Sequence, residues 1–435
     1  MRYKLNNFLK KFQLKDYGIY LFLTGILFLP SSLFIGILLL FPAALIGSFL
    51  QKKPFFKDRW NYPFIIFGGL ILLSSFFQNF ILNNPYDEIW NPISSFIGLG
   101  NWIPFIWFFW AFQPYLNSKA QRKTFSLILI ASTFPILATG FGQYYFNWTG
   151  PFKTLNGLII WYQRPIETPG GLTGLFNHQN YAGTWLNFVW PFCIALFLEK
   201  RKDIFRRTIA FSFLFSTGLA AFLTYSRNAW IGLLTSFPII IGKKNLNIFL
   251  PALSIFLFLL FFSISPIFEG ELQTNFRSLL PTKILLEFSQ EGYEGLDTTR
   301  SMIFLSAINL IKSNPFFGIG ATSFTPIFLS ETNFWKGHSH NILLELSVSY
   351  GLPSAIIIFA TITTILFLSG RKIFINKGAN QISLFDRAFW ASLFFFLISQ
   401  LVDIQYFDGK LSIIAWLLLT SLKNIIEESE KINSI

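Results

Sequence analysis

Apolar runs and short polar connections alternate along the whole chain, and the lengths of the runs set the architecture. Twelve runs fall near 17–29, 32–50, 62–80, 102–117, 125–146, 180–198, 208–225, 228–242, 248–265, 342–369, 388–402 and 411–422. A bilayer-spanning helix needs about 17–25 predominantly apolar residues, and most of these runs reach or approach that length. The pattern predicts an all-α polytopic membrane protein: one integral membrane domain over 1–435 with about 12 transmembrane helices and both termini on one side. Two non-spanning segments are long enough to carry function: an outer loop at 147–179, and a large loop at 266–341 between the ninth and tenth spans. Inside the larger one, TRSMIFLSAINLIK (Thr299–Lys312) spaces Met302, Leu305, Ile308, Leu310 and Ile311 as a short amphipathic helix. Asp297, Thr298 or Thr299 can cap its start, and NPFFGIG ends it. Such a helix lies on a leaflet or packs on the bundle.

Composition agrees with the pattern. The chain is 53% hydrophobic and 13% charged, where soluble domains carry about a quarter charged residues. Its 57 Phe and 13 Trp read as lipid-facing and interfacial bulk. The net charge of +13 would suit nucleic acid or anionic lipid, so the positions of the charges decide its meaning. With the N-terminus inside, 25 of the 34 Lys and Arg fall in inside segments and every inside connection is basic. The basic balance is therefore a topology signal, with both termini cytoplasmic, and not a nucleic-acid footprint. The basic start resembles a signal peptide, but a second apolar segment follows at once without a small-residue cleavage site, which reads as an uncleaved anchor. The single cysteine, Cys193, excludes an intrachain disulfide. No Asp, Glu, Lys or Arg stands near the middle of any span, which counts against a proton or ion relay and directs attention to the outer mouth.

Several polar residues there call for explanation. Arg227, in LTYSRNAWIG, sits in a tight outer hairpin against the positive-inside bias. It either snorkels to headgroups or clamps an anion with its planar fork of donors. Arg300 falls in the first turn of the loop helix, where the dipole disfavours a cation unless an anion binds too. Arg164, in YQRPIETPGG, is a weaker candidate of the same kind. Around a span entrance, His178 with Asn177, Gln179 and Asn180 forms a polar knot suited to capping a helix or to sugar and phosphate contacts. His338 and His340, in KGHSHNILLE, border the tenth span, where an imidazole can cap the helix or serve as a base. The three histidines lie in two distant places without carboxylates at ligand-like spacing, so no metal site is expected.

Taken in order, these pieces resemble the O-antigen ligase and O-antigen polymerase (Wzy-type) superfamily of bacterial membrane glycosyltransferases. GLFNHQNYAGTWL resembles its Phe-x-x-x-Asn segment and TYSRNAWIG its Ser-Arg hairpin; an arginine-headed loop helix and NPFFGIGATSF follow. HSHNILLELSVSYGLPSA is the most specific piece. His340-Asn341, nine residues, then Gly351-Leu352-Pro353-Ser354 follows the ligase pattern, with Ser354 in place of its last glycine. The likeness covers about 164–370, and earlier residues match mainly in topology.

The resemblance implies a GT-C-like membrane fold with a partly helical periplasmic loop. It implies transfer of an undecaprenyl-diphosphate-linked glycan to the hydroxyl of a lipid or glycan acceptor, with inversion and without metal or cofactor. The site would face the periplasm from the bacterial plasma (inner) membrane, with membrane lipid around it. Carried over residue by residue, Arg227 and Arg300 would hold the diphosphate and His340 would take the hydroxyl proton. Asn341 would orient the acceptor, and Arg164, His178, Asn180 and His338 would be further substrate contacts. The long histidine motif leans to a ligase, with a polymerase as the alternative. A small-anion, bicarbonate-like transporter is a third reading, from a different class; it would call for midplane charges or broken inverted repeats.

Overall fold

The computed structural model describes residues 2–81, 86, 88–166, 170–199, 203–242, 246–265, 270–278, 280, 285, 299–375 and 383–433. Its helices are α1 (Arg2–Phe28), α2 (Leu33–Leu50), α3 (Tyr62–Phe80), α4 (Ser94–Gly98), α5 (Ile103–Ala111), α6 (Lys119–Ser132), α7 (Phe134–Phe146), α8 (Gln179–Leu198) and α9 (Ile204–Leu223). They continue as α10 (Arg227–Ile241), α11 (Leu246–Ile264), α12 (Glu271–Ser278), α13 (Arg300–Ser313), α14 (Phe324–Thr332), α15 (Ile342–Tyr350), α16 (Leu352–Gly370), α17 (Leu384–Gln400) and α18 (Gly409–Asn433). Six stretches among the described residues are long and apolar enough to cross a membrane: Leu33–Leu50, Arg59–Phe80, Lys119–Phe146, Gln179–Leu198, Leu352–Ile375 and Gly409–Glu428. Each coincides with an expected run, and the protein is a mostly helical, multi-pass membrane protein.

The described residues gather into two compact units: Met1–Ser132 with Thr298–Ile435, and Thr133–Asp297. In the first, α18 is the central element. Leu411, Ile414, Leu418, Leu422 and Ile426 are all buried, and α5, α16 and α17 surround the helix. Rings fill the spaces between helices: Trp416 packs on Phe64 and Phe105, and Phe22 on Phe112, Tyr115 and Phe125.

The run expected as one span at 342–369 is two helices, broken at Gly351. That residue holds φ +85°, and a side chain there would collide with the Phe316 carbonyl. The segment after α13 fills the break: Leu352 donates its N–H to Pro315 O (2.8 Å) and Ile319 to Val348 O (2.7 Å). Gln78 closes it from α3, donating to Phe317 O (2.7 Å) and Ser349 O (3.1 Å). NPFFGIG thus ends α13 and also plugs the helix break. Ser354, the departure from the family pattern, is buried and donates to Tyr350 O (3.0 Å).

The loop helix forms where expected, with the Thr299 hydroxyl accepting from Met302 N–H; Asp297 and Thr298 lie outside the described residues. Its buried side differs from the expected one. Ile303, Ala307, Leu310 and Ile311 pack with Ile319, Phe324, Ile327, Phe328 and Val348, whereas Met302, Leu305 and Ile308 are exposed. The helix is apolar on two sides, so spacing alone could not choose between them.

A buried ionic cluster closes one end of this unit. Arg122 reaches Asp386 and Glu428, each at 2.8 Å, and Lys423 reaches Gln113 (2.7 Å), Glu427 (3.0 Å) and Asp58 (3.3 Å). Asp386 starts α17, and Asp403 follows its other end about 25 Å away at 1.5 Å per residue.

The second unit packs α7–α10 around Leu137, Leu172, Leu186, Ala220, Ala221, Leu223 and Ala229, and Leu260 of α11 clusters with Trp230 of α10. The segment expected as the outer loop at 147–179 carries a small antiparallel hairpin, β1 (Phe152–Thr154) with β2 (Ile159–Trp161), pairing Lys153 with Ile160. This is the one departure from an all-helical architecture among the described residues.

Candidate active site

In the first unit, the site grows from the turn that starts α15. Asn341 caps the helix: its side-chain oxygen accepts from Leu343 N–H (2.9 Å) and Leu344 N–H (3.2 Å), and its amide nitrogen donates to Leu401 O (3.0 Å). An amide side chain can do both because it carries an acceptor and two donors. Ser339 is buried, donating its N–H to the Glu345 carboxylate (2.9 Å) and its hydroxyl to Asn341 O (3.2 Å). Between these anchored neighbours, His340 holds φ +55°, a left-handed conformation that a residue with a Cβ keeps only when its surroundings impose it. Its N–H donates to Nδ1 of His338 (3.1 Å).

That turn aims the His340 ring at a residue 63 positions later: Nδ1 of His340 lies 2.7 Å from Oδ1 of Asp403. Asp403 is buried and its second oxygen accepts from Gln405 Nε2 (2.8 Å). Gln400 braces the loop, accepting from the N–H groups of Gln405 (2.8 Å) and Tyr406 (2.9 Å). Tyr406 donates its hydroxyl to Asn101 O (2.8 Å) and stacks on Trp102. Arg300, exposed at the head of α13, donates to Val402 O (2.6 Å). Arg300, His340 and Asn341 therefore grip three successive residues of one loop, Leu401 to Asp403.

The hydrogen-bond partners assign the ring protons of the neutral imidazoles. An ionised Asp403 only accepts, so in the neutral His340 ring Nδ1 donates to it and Nε2 carries the lone pair, the arrangement of a base oriented by a carboxylate. Nδ1 of His338 accepts a backbone N–H, so in the neutral ring the proton is on Nε2. Burial, with His340 adding to it, pushes His338 down to about 4, so its ring is neutral at pH 7. His338, His340 and Asp403 also bring three potential metal-ligand atoms within 4.8 Å of one another. Sequence spacing hid this carboxylate. The expectation that no carboxylate stands beside the histidines is corrected by the packing that brings Asp403 to them.

The other expected residues belong to the second unit. His178 caps α8, Nδ1 accepting from Asn180 N–H (3.1 Å), and Gln179 accepts from Gly171 N–H. α9 ends at Leu223 and α10 begins at Arg227, as the tight hairpin required, with Tyr225 between them at φ +51°. Gly183 of α8 lies against Ser226 and Ala229, so the two helices start side by side, one led by His178 and Asn180 and the other by half-buried Arg227. Arg164 is exposed, and its carbonyl accepts from Gln143, which also binds Thr173 and Gly174.

Sequence reading missed Asp403, Glu345 and Gln405. Asp403 had a usable signal: it is one of only two carboxylates in the short connection before the last span, VDIQYFDG.

The O-antigen ligase family model matches residues 210–359. This segment includes Arg227, Arg300, His338, His340 and Asn341, whereas Asp403 lies beyond it and is joined to the motif by the fold. No curated protein matches the chain. The match and the motifs agree: over residues 210–359 the chain is similar to the O-antigen ligase family.

Proposed function

We propose that this protein transfers a glycan from an undecaprenyl diphosphate carrier to an acceptor hydroxyl, with the site facing the periplasm from the bacterial inner membrane. The observation that carries the reading is the 2.7 Å contact between His340 Nδ1 and Asp403. Nε2 of His340 removes the proton of the acceptor hydroxyl, and Asp403 holds the ring in the needed tautomer and stabilises the imidazolium that forms. The acceptor oxygen attacks the anomeric carbon from the face opposite the leaving group. The sugar–phosphate C–O bond breaks, its electron pair leaves on the diphosphate, and the new glycosidic bond has inverted configuration. Arg300 uses one of five guanidinium donors on Val402 O, and the others suit phosphate oxygens. Arg227, at the head of α10 with His178 and Asn180 at the head of neighbouring α8, is assigned to phosphate by the family likeness and by the partial positive charge of helix N-termini. Stabilising the developing charge in this way is commonly the largest catalytic contribution.

The test is glycan transfer in a deletion strain complemented with His340→Ala, Asp403→Asn or Arg300→Ala, with membrane levels of each variant quantified. Loss of transfer at undiminished protein level is expected. Full transfer by both His340→Ala and Arg300→Ala would overturn the assignment. A gel of the deletion strain's surface polysaccharide separates the two members of this chemistry: accumulated long carrier-linked chains mean a ligase, and single capped repeats mean a polymerase.

A further inference from the structure

We propose that His338 is a positioning residue that acts through His340, and that it makes no contact with either substrate. The inference rests on His340 being the base. Its ground is that both ring nitrogens of His338 turn inward. Nδ1 accepts the His340 N–H at 3.1 Å, and Nε2 is 4.0 Å from Oδ1 of Asp403. The two histidine rings meet edge to face at 4.6 Å between centroids. Neither nitrogen is turned outward to meet a hydroxyl or a phosphate.

What the ring does is visible in the backbone. His340 sits at φ +55°, and holding a residue with a side chain there costs about 1–2 kcal/mol. A side-chain acceptor that binds the N–H two residues on is the device by which Asn and Asp stabilise tight turns. Here an imidazole takes that part. A neutral ring also suits the neighbourhood, because a cation at 338 would compete with His340 for Asp403. Burial keeps the ring neutral at working pH.

The same bond can be supplied by other chemistry, and this separates positioning from recognition. An asparagine at 338 places its side-chain oxygen within reach of the same N–H, but it cannot reproduce an imidazole's contacts with a substrate. Transfer would be measured with purified protein in bilayers, varying donor and acceptor separately. We expect His338→Asn to stay within about threefold of the parent rate. His338→Ala should lose about ten- to a hundredfold in kcat with both KM values unchanged, the scale of a misplaced catalytic group. Labelling histidine with ¹⁵N gives a readout independent of activity, since the chain has three histidines. The His338 ring should show an unprotonated Nδ1 and a protonated Nε2. Full activity in His338→Ala overturns the inference, as does a raised KM in both variants or a protonated Nδ1. His340→Ala run in parallel separates the failures: if it transfers normally, the reading of the site itself falls. If it is inactive while His338→Ala is normal, only the role of His338 falls.

Discussion

The two ends of α17 carry polar clusters built on opposite plans. At Asp386, every charge is answered: Arg122 meets two carboxylates, Lys423 meets two carboxylates and an amide, and Arg122, Lys423, Asp58 and Asp386 are buried. At Asp403, a buried carboxylate and its loop are met by half-buried His340 and Asn341 and by exposed Arg300. Asp403 meets Nδ1 of His340, and its loop receives Arg300 and Asn341. The first cluster pairs its buried charges with one another, as charges in an apolar bundle must. The second turns its bonds on one loop and so orients the His340 ring. In one bundle, we read the charge-paired cluster as scaffold and the orienting cluster as the proposed site.

Substitutions at the two ends should therefore fail differently. The largest effect is expected at His340: alanine should abolish transfer while membrane insertion and thermal stability persist, measured by transfer assay and detergent-exchange melting. Next is Asp403→Asn, which keeps shape but can reverse the ring's tautomer and should cost about 10³-fold or more in rate. Arg300→Lys comes third. An ammonium can retain one bond to Val402 O but lacks the guanidinium fork, so transfer should fall about ten- to a hundredfold. At the other end, Arg122→Met should cost about 3–5 kcal/mol of stability by stranding Asp386. Its transfer per folded molecule should match the parent, and a proportionate loss of both would break the contrast. The smallest change is expected for Asn341→Asp, which keeps the helix cap and loses the donor to Leu401 O. A loss of about 1 kcal/mol or less in stability is expected, with a modest fall in rate.

Local chemistry made part of this legible in advance. Run lengths gave the helical membrane bundle, Thr299 gave the cap of α13, and the hairpin before Arg227 held its place. Two features escaped for physical reasons. The helix break at Gly351 lies inside a continuous apolar run because both halves pack in apolar surroundings, and only the carbonyls of Pro315 and Phe316 reveal why the glycine is needed. The His340–Asp403 pair joins residues 63 apart through the packing of α15–α18, and no periodicity records such a contact. The motif around His340 was readable, but its partner was not. The buried side of α13 was misread because Met302, Leu305 and Ile308 form a second apolar side.

The central claim is that Asp403 makes His340 a base. Single-turnover transfer by purified Asp403→Asn protein in bilayers, at saturating donor and acceptor, tests it most directly. A rate about 10³-fold below the parent with donor binding unchanged is expected. A parental rate would contradict it.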